Sequence, residues 1–168
     1  MKKASWMLLV VVAFGIAGCA QKSESEKAMD ALEASGAIPA LERGSTLTGI
    51  DSNGNGVRDD VDAYISAQYS EASQRAAAIQ SARALQAALL INVQDVAAAR
   101  AVSLKITQAA NCVFSRFPGS PATKDPARVL QELEGVTANT KPRLLAYLAY
   151  NKALDGTSAA LPEGDTCE

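Results

Sequence analysis

Residues 59–91 read DDVDAYISAQYSEASQRAAAIQSARALQAALLI, a stretch with no proline and no glycine. Alanine is its commonest residue, and alanine is the best helix former. Apolar residues recur along the stretch at helical spacing, which predicts one buried helix face. That face consists of Val61, Ile65, Ala72, Ala76 and Ile79. The stretch therefore predicts a long helix and favours an all-α fold.

A second apolar stripe follows and ends at Pro118-Gly119. It consists of Val102, Ile106, Ala109, Val113 and Phe117, again at helical spacing. Between the two stripes, residues 92–95 are either a tight turn or an exposed part of one helix from 59 to 117. A turn is favoured, because so long a helix needs a partner to bury its face. The two stripes then form a long helical hairpin.

Two shorter helices are predicted after the hairpin. Asp125-Pro126 supplies an N-cap followed by proline at the first helical position, and Gly135 is expected to end that helix. Thr140 is expected to cap another helix over residues 144–154. Together with the hairpin, these elements predict a small helical bundle. The expected core of the last helix is Leu144, Tyr147, Leu148 and Tyr150.

Upstream of residue 51, the sequence predicts one short helix and an irregular connection. Ser23 and Glu26 have the spacing of a capping box, so a helix is expected to run to about Ser35 and to stop at Gly36. Residues 37–50 contain proline and glycine among threonine and serine. That composition favours an ordered but irregular segment.

The loop between this connection and the long helix, residues 51–62, reads DSNGNGVRDDVD. An EF-hand loop holds Ca²⁺ with oxygens from positions 1, 3, 5, 7, 9 and 12, and it needs glycine at position 6 for a sharp turn. Gly56 stands at position 6. The predicted calcium ligands are Asp51, Asn53, Asn55, the Val57 carbonyl, Asp59 and Asp62.

This loop resembles those of dockerin modules and thrombospondin type 3 repeats, which implies one structural Ca²⁺. The loop departs from a paired EF-hand: there is no second loop, Arg58 occupies position 8 where an apolar residue is usual, and no clear helix precedes Asp51. A calcium sensor that opens a groove is therefore not expected. The alternative is a plain turn, with two Asn-Gly steps before a helix whose N-terminus Asp59, Asp60 and Asp62 stabilise.

The first residues, MKKASWMLLVVVAFGIAGCA, have the form of a secretory signal, because the apolar run is shorter than the roughly 20 residues of a membrane span. Residues 16–19, Ile-Ala-Gly-Cys, resemble the lipobox of bacterial lipoproteins. The resemblance implies cleavage after residues 1–18 and acylation of Cys19, with residues 19–27 as a polar tether. Ala20 is not the aspartate that marks inner-membrane retention, which favours anchoring to the outer membrane on its periplasmic side. The alternatives are an ordinary cleaved signal with a chance cysteine, and an uncleaved anchor.

The cysteine count predicts a disulfide. Of three cysteines, lipidation of Cys19 leaves Cys112 and Cys167, and an oxidising compartment favours their pairing. The alternative is two free buried thiols. After the tether, residues 28–168 have the size of a single domain.

The charge balance and the residue types argue against several functions. Of 16 basic residues, the loss of Lys2 and Lys3 with the signal leaves 14 against 18 acidic ones, so the overall charge suggests neither nucleic acid nor anionic lipid as a partner. The sequence has no histidine, the commonest general base and zinc ligand. Glu132 and Glu134 lie two apart on a predicted helix and do not share a face.

These observations predict a non-enzymatic lipoprotein with a structural or interaction role, held to the membrane by its lipid and working with an unknown protein partner. The alternatives are a periplasmic inhibitor or immunity-type protein that binds an exported enzyme, and an enzyme that uses carboxylates and the metal. The wider string LTGIDSNGNGVRDDVDAYI, residues 47–65, resembles proteobacterial lipoproteins. That resemblance implies no activity.

Overall fold

The computed structural model describes residues 22–119, 124–160 and 162–168. These residues form helices joined by turns and irregular segments, with no strand among them. The helices are α1 (Glu24–Ala34), α2 (Asp59–Gln68), α3 (Ala72–Leu90), α4 (Val96–Arg116), α5 (Pro126–Thr137) and α6 (Lys141–Ala153). The predicted all-α helical bundle is confirmed. The predicted signal peptide and the lipidation site at Cys19 lie outside the described residues.

Helix α1 belongs to a compact unit that ends at Ile38, and Pro39–Glu168 form a second unit. The capping box predicted for α1 is present. The Glu26 backbone N–H donates to the Ser23 hydroxyl at 3.2 Å, and the Ser23 N–H donates to the Glu26 carboxylate at 2.6 Å. Gly36 follows the helix with φ +72°, a conformation that glycine adopts without strain. The predicted helix and its stop are confirmed.

The predicted hairpin is formed by α3 and α4. Ile91 leaves α3 with an extended backbone, and the Asp95 N–H donates to the Asn92 carbonyl at 2.9 Å to close the turn. The Asp95 side chain then caps α4 by accepting from the Ala98 N–H at 3.0 Å. The turn at residues 92–95 is therefore confirmed. Helices α5 and α6 pack on this hairpin.

The prediction of one helix from 59 to 91 is wrong, because the chain breaks between α2 and α3. Tyr69 has an extended backbone at φ −125° and ψ 112°. Its ring is buried edge-on against Phe117, with the ring centroids 5.2 Å apart. The Arg75 guanidinium donates to the freed carbonyls of Tyr69 and Ser70. On α3 the predicted face is correct only at Ile79, which packs against the core, whereas Ala72 and Ala76 are exposed.

The main core joins α2, α3, α4 and α5. The predicted α4 stripe is confirmed, since Ala109, Val113 and Phe117 are buried and Ile106 packs against them. The small side chains on the inner face of α3 allow close helix approach. The largest core cluster consists of Val57, Val61, Ile65, Tyr69, Ala77, Ala78, Ala82, Leu85, Cys112, Val113, Phe117, Val129, Leu133 and Val136.

Two predictions about α5 and α6 need correction. Helix α5 does not end at Gly135 but continues to Thr137. Val136 and Thr137 are buried, so packing against the rest of the protein stabilises this last turn. Thr140 caps α6 as predicted. Tyr147 and Tyr150 pack against the core as predicted, but Leu144 and Leu148 are exposed.

The predicted disulfide between Cys112 and Cys167 is present, with Cα atoms 5.0 Å apart. It ties the irregular C-terminal tail to α4. Further hydrogen bonds fix the same tail, including those from Thr166 Oγ1 to the Gln108 carbonyl at 2.6 Å and from Gln80 Nε2 to the Thr166 carbonyl at 2.9 Å. In the parts of the chain that the structure describes, no helix has the length and apolar character that a membrane span requires.

Candidate metal site

The two ends of the loop at residues 51–62 are tied together by Asp59. Its N–H donates to the Ile50 carbonyl at 2.8 Å. Its carboxylate accepts from the Ser52 N–H at 2.9 Å and from the Ser52 hydroxyl at 2.6 Å. The hydroxyl of Ser52, and then its N–H, lower the pKa of the Asp59 carboxyl. Asp59 therefore stays ionised at neutral pH.

The turn of the loop is organised by polar side chains that bind its backbone. Asp51 accepts from the Asn55 N–H at 3.2 Å and from the Gly56 N–H at 2.9 Å. Asn55 Oδ1 accepts from the Val57 N–H at 2.8 Å. Arg83 of α3 donates to the Asn55 carbonyl at 2.7 Å. Gly56 has φ +82°, so position 6 makes the sharp turn for which the pattern requires glycine.

Three predicted ligands meet at one point. Asp62 Oδ2 accepts from Asn53 Nδ2 at 3.1 Å and from Asn55 Nδ2 at 2.7 Å. Asp62 Oδ1 is buried and has no hydrogen-bond partner. The amide oxygens of Asn53 and Asn55 face the loop backbone instead, where they accept from the Asn55 N–H at 3.0 Å and from the Val57 N–H at 2.8 Å. Binding of a cation at Asp62 would require both oxygens to turn from the backbone towards the carboxylate.

The remaining predicted ligands are placed differently. Asp51 faces the loop backbone and Asp59 faces Ser52. The Val57 side chain is buried in the core, which fixes the loop at position 7. Within residues 22–119, 124–160 and 162–168, no three His, Cys, Asp or Glu side chains form a group that could hold a metal ion. The group at Asp62 falls outside that definition, because its other two side chains, Asn53 and Asn55, are amides.

Arg58, at position 8, turns inward and is 1% exposed. Its Nε and Nη2 atoms donate to the two carboxylate oxygens of Asp60, both at 2.9 Å. Its Nη1 donates to the Thr137 carbonyl at 2.8 Å and its Nη2 to the Val136 carbonyl at 3.0 Å. Arg58 thus caps the C-terminus of α5, where a cation is stabilising. It takes the place of the apolar contact that position 8 makes with a second loop.

Arg143 of α6 is the second fully buried arginine. Its Nη1 donates to the Glu42 carbonyl and to Asn139 Oδ1, both at 2.9 Å, and its Nη2 donates to the Glu42 carboxylate at 3.1 Å. The Glu42 N–H donates to Asp60 at 2.9 Å. These contacts form one arginine network, which consists of Glu42, Arg58, Asp60, Asn139 and Arg143.

The arginine network leaves no room for a side chain at Gly49. A Cβ there would overlap Arg58 Cδ and the Glu42 carboxylate, and the backbone has φ +64°. In the sequence, Arg58 is only a departure from the EF-hand pattern, and no pattern singles out Arg143. The available signal was a charged residue at the loop position where the pattern expects a buried one.

Glu132 is the most heavily bonded carboxylate on the surface of α5. It accepts from Lys124 at 3.0 Å, from Arg128 at 3.2 Å and from the Tyr64 hydroxyl at 3.2 Å. Burial raises the pKa of Glu132, but these donors outweigh burial and hold it below its usual range. A carboxylate held by three donors is a poor general base. Glu134, two residues on, is exposed.

Comparison with known proteins gives no relative from which a function can be transferred. No protein-family model matches the chain. No curated protein and no solved structure matches it either. The geometry of the loop and of the arginine network is therefore the basis for a functional proposal.

Proposed function

We propose that this chain is a lipid-anchored lipoprotein facing the periplasm, with a non-enzymatic structural or interaction role, and that one Ca²⁺ stabilises its larger unit. The anchor is proposed from residues 16–19, whose lipobox form places the lipid on Cys19. Outer-membrane delivery is proposed from Ala20, which is not the aspartate of inner-membrane retention.

The calcium proposal rests on the meeting of the Asn53 and Asn55 side chains with the Asp62 carboxylate. Its Oδ2 atom binds the amides of Asn53 and Asn55, and its Oδ1 atom is buried without a partner. A buried carboxylate oxygen without a partner is costly, and a cation removes that cost. Ca²⁺ would supply a hard positive charge that gathers six to eight oxygens.

The full ligand set proposed for Ca²⁺ is Asp51, Asn53, Asn55, the Val57 carbonyl, Asp59 and Asp62. The position of Asp59 on Ser52 is compatible with this set, because position 9 of an EF-hand loop often binds through a water. The carboxylates of Asp51 and Asp62 and the two amides would close the loop around the ion. The ion would then fix the start of α2.

The structural role follows from where the loop is attached. Val57 enters the main core and Arg58 caps α5. An ion that orders the loop would therefore also stabilise the packing of α2 and α5. A non-enzymatic role is supported by the lack of histidine in the sequence.

The calcium proposal is tested by thermal unfolding in Ca²⁺ and in EDTA. Ca²⁺ at a tenfold excess over its Kd should stabilise the wild type by about 1.4 kcal/mol, which raises Tm by a few degrees. Asp51→Ala should abolish that rise, because it removes a ligand without touching α2. Asp155→Ala, an exposed acid outside the loop, should keep it. Equal wild-type Tm values in EDTA and in about 10 mM Ca²⁺ would leave the loop as a plain turn.

The anchor is tested separately in cells. The wild type should incorporate a labelled fatty acid and fractionate with membranes, whereas Cys19→Ala should remain an unprocessed precursor. Cleavage of Cys19→Ala to a soluble product of wild-type mature mass would refute lipidation. Crosslinking of the anchored protein, followed by mass spectrometry, would then identify its partner.

A further inference from the structure

Helix α6 exposes a continuous apolar face. Leu144, Leu145 and Leu148 are 46%, 54% and 53% exposed. They lie on consecutive turns of one side of the helix, as i, i+1 and i+4 spacing requires. The opposite side of α6 carries Arg143 and Tyr150, which are buried. Helix α6 thus packs on the protein through its other side and does not bury these leucines.

Lysines bracket this face at both ends. Lys141 lies three residues before Leu144, and Lys152 lies four residues after Leu148, so both share the side of the leucines. Neither lysine forms an ion pair with the described part of the chain. The α6 face is defined here as Lys141, Leu144, Leu145, Leu148 and Lys152.

We infer that the α6 face rests on an anionic phospholipid surface. Leucines between lysines match the boundary between acyl chains and headgroups, since the leucines enter the apolar layer while the ammonium groups meet phosphates. Lysine stems also extend along apolar surface while the charge remains in water. Glu134 lines the shallow groove beside Leu144 and is exposed, so one carboxylate lies near the leucines while the two lysines lie among them.

This inference rests on the proposed function, because the lipid anchor is what makes binding of the α6 face to the membrane strong enough. A face of three leucines and two lysines binds a bilayer weakly by itself. A tether changes this, because it raises the effective concentration of the face at the membrane to the order of millimolar. The lipid on Cys19 would supply that tether.

The test uses tryptophan as a depth reporter. Trp6 is the only tryptophan and lies in the predicted signal peptide, so Leu148→Trp gives the mature chain a single indole. Cys19 is its only thiol outside the disulfide, so maleimide-lipid vesicles can tether it chemically. Phe114→Trp, on α4 at a site 50% exposed, is the matched control. Both proteins are measured on phosphatidylethanolamine–phosphatidylglycerol vesicles that contain brominated acyl chains.

Leu148→Trp should be quenched by bromine several-fold more than Phe114→Trp. Reversing both lysines, with Lys141→Glu and Lys152→Glu, should reduce that quenching by about fivefold or more, because an anionic surface attracts each lysine and repels each glutamate. Equal quenching at the two tryptophans would overturn the inference and leave the α6 face for a protein partner. Since the tether here is chemical, a failure of lipidation in cells would not alter this result.

Discussion

Arg58→Met removes the guanidinium that joins the loop at residues 51–62 to the end of α5. Methionine keeps the length of an apolar stem but donates no hydrogen bond. Asp60, whose side chain is 12% exposed, then keeps only the Glu42 N–H among these partners. The carbonyls of Val136 and Thr137 lose their donor as well.

The expected loss in the free energy of unfolding is about 3–5 kcal/mol, the cost of removing one partner of a buried ion pair. This range includes the loss of the cap on α5, because the same guanidinium binds Asp60 and the carbonyls at the end of α5. For a chain of this size, about 3 °C of Tm accompanies each kilocalorie per mole, so Tm should fall by about 9–15 °C. Adding Asp60→Asn should recover part of the loss, because it removes the uncompensated charge.

Urea unfolding followed by helical circular dichroism is a suitable assay, since the predicted mature chain lacks tryptophan. Arg100→Met is the matched control, because Arg100 is exposed and has no ion pair in the described chain. Its cost should stay within about 0.5 kcal/mol. A loss below about 1 kcal/mol for Arg58→Met, or a double variant less stable than Arg58→Met alone, would refute the role assigned to Arg58.

Three further predictions follow from the disulfide, Glu132 and the tyrosines. Replacing Cys112 and Cys167 together with serine should cost about 4 kcal/mol in urea unfolding, since the bridge spans 55 residues; a cost near zero would contradict this. Because the donors around Glu132 hold its pKa low, its contribution to stability is present above a carboxyl's ordinary pKa of about 4.3 and is lost as pH falls below it. The Tm of Glu132→Gln should therefore fall less than that of the wild type between about pH 5 and 3. An equal fall in both proteins would show that Glu132 makes no such contribution. Burial raises the pKa of Tyr64 and of Tyr147 to about 12, so native protein should show little phenolate absorbance at about pH 10, and full ionisation there would contradict the packing.

The sequence predicted those parts of the fold that depend on neighbouring residues. Ser23 and Thr140 cap their helices because a cap needs only a side chain and the next turn. The α4 stripe followed from its spacing, and the disulfide followed from a count of cysteines. The glycine at position 6 of the loop adopts the left-handed backbone that the pattern requires.

The parts that the sequence did not predict depend on distant residues. The break after α2 is stabilised by the contact between Tyr69 and Phe117 at the far end of α4. The end of α5 depends on Arg58, which lies far upstream in sequence. On α6, leucine at helical spacing predicts burial of Leu144 and Leu148, but Arg143, paired with Glu42, lies on the buried side instead. Periodicity cannot reveal that a buried arginine has a partner.

Binding of Ca²⁺ to the loop at residues 51–62 can be observed residue by residue in an amide NMR titration. One-site, saturable shifts should be confined to the loop and the start of α2, with a Kd of about 10⁻⁴–10⁻³ M, and Mg²⁺ should produce much smaller ones. Asp62→Asn should weaken binding by about tenfold, because it removes one of the charged ligands, while Asp155→Asn should leave it unchanged. The absence of saturable shifts at about 10 mM Ca²⁺, or equal affinity in Asp62→Asn, would show that this loop does not hold Ca²⁺ as proposed.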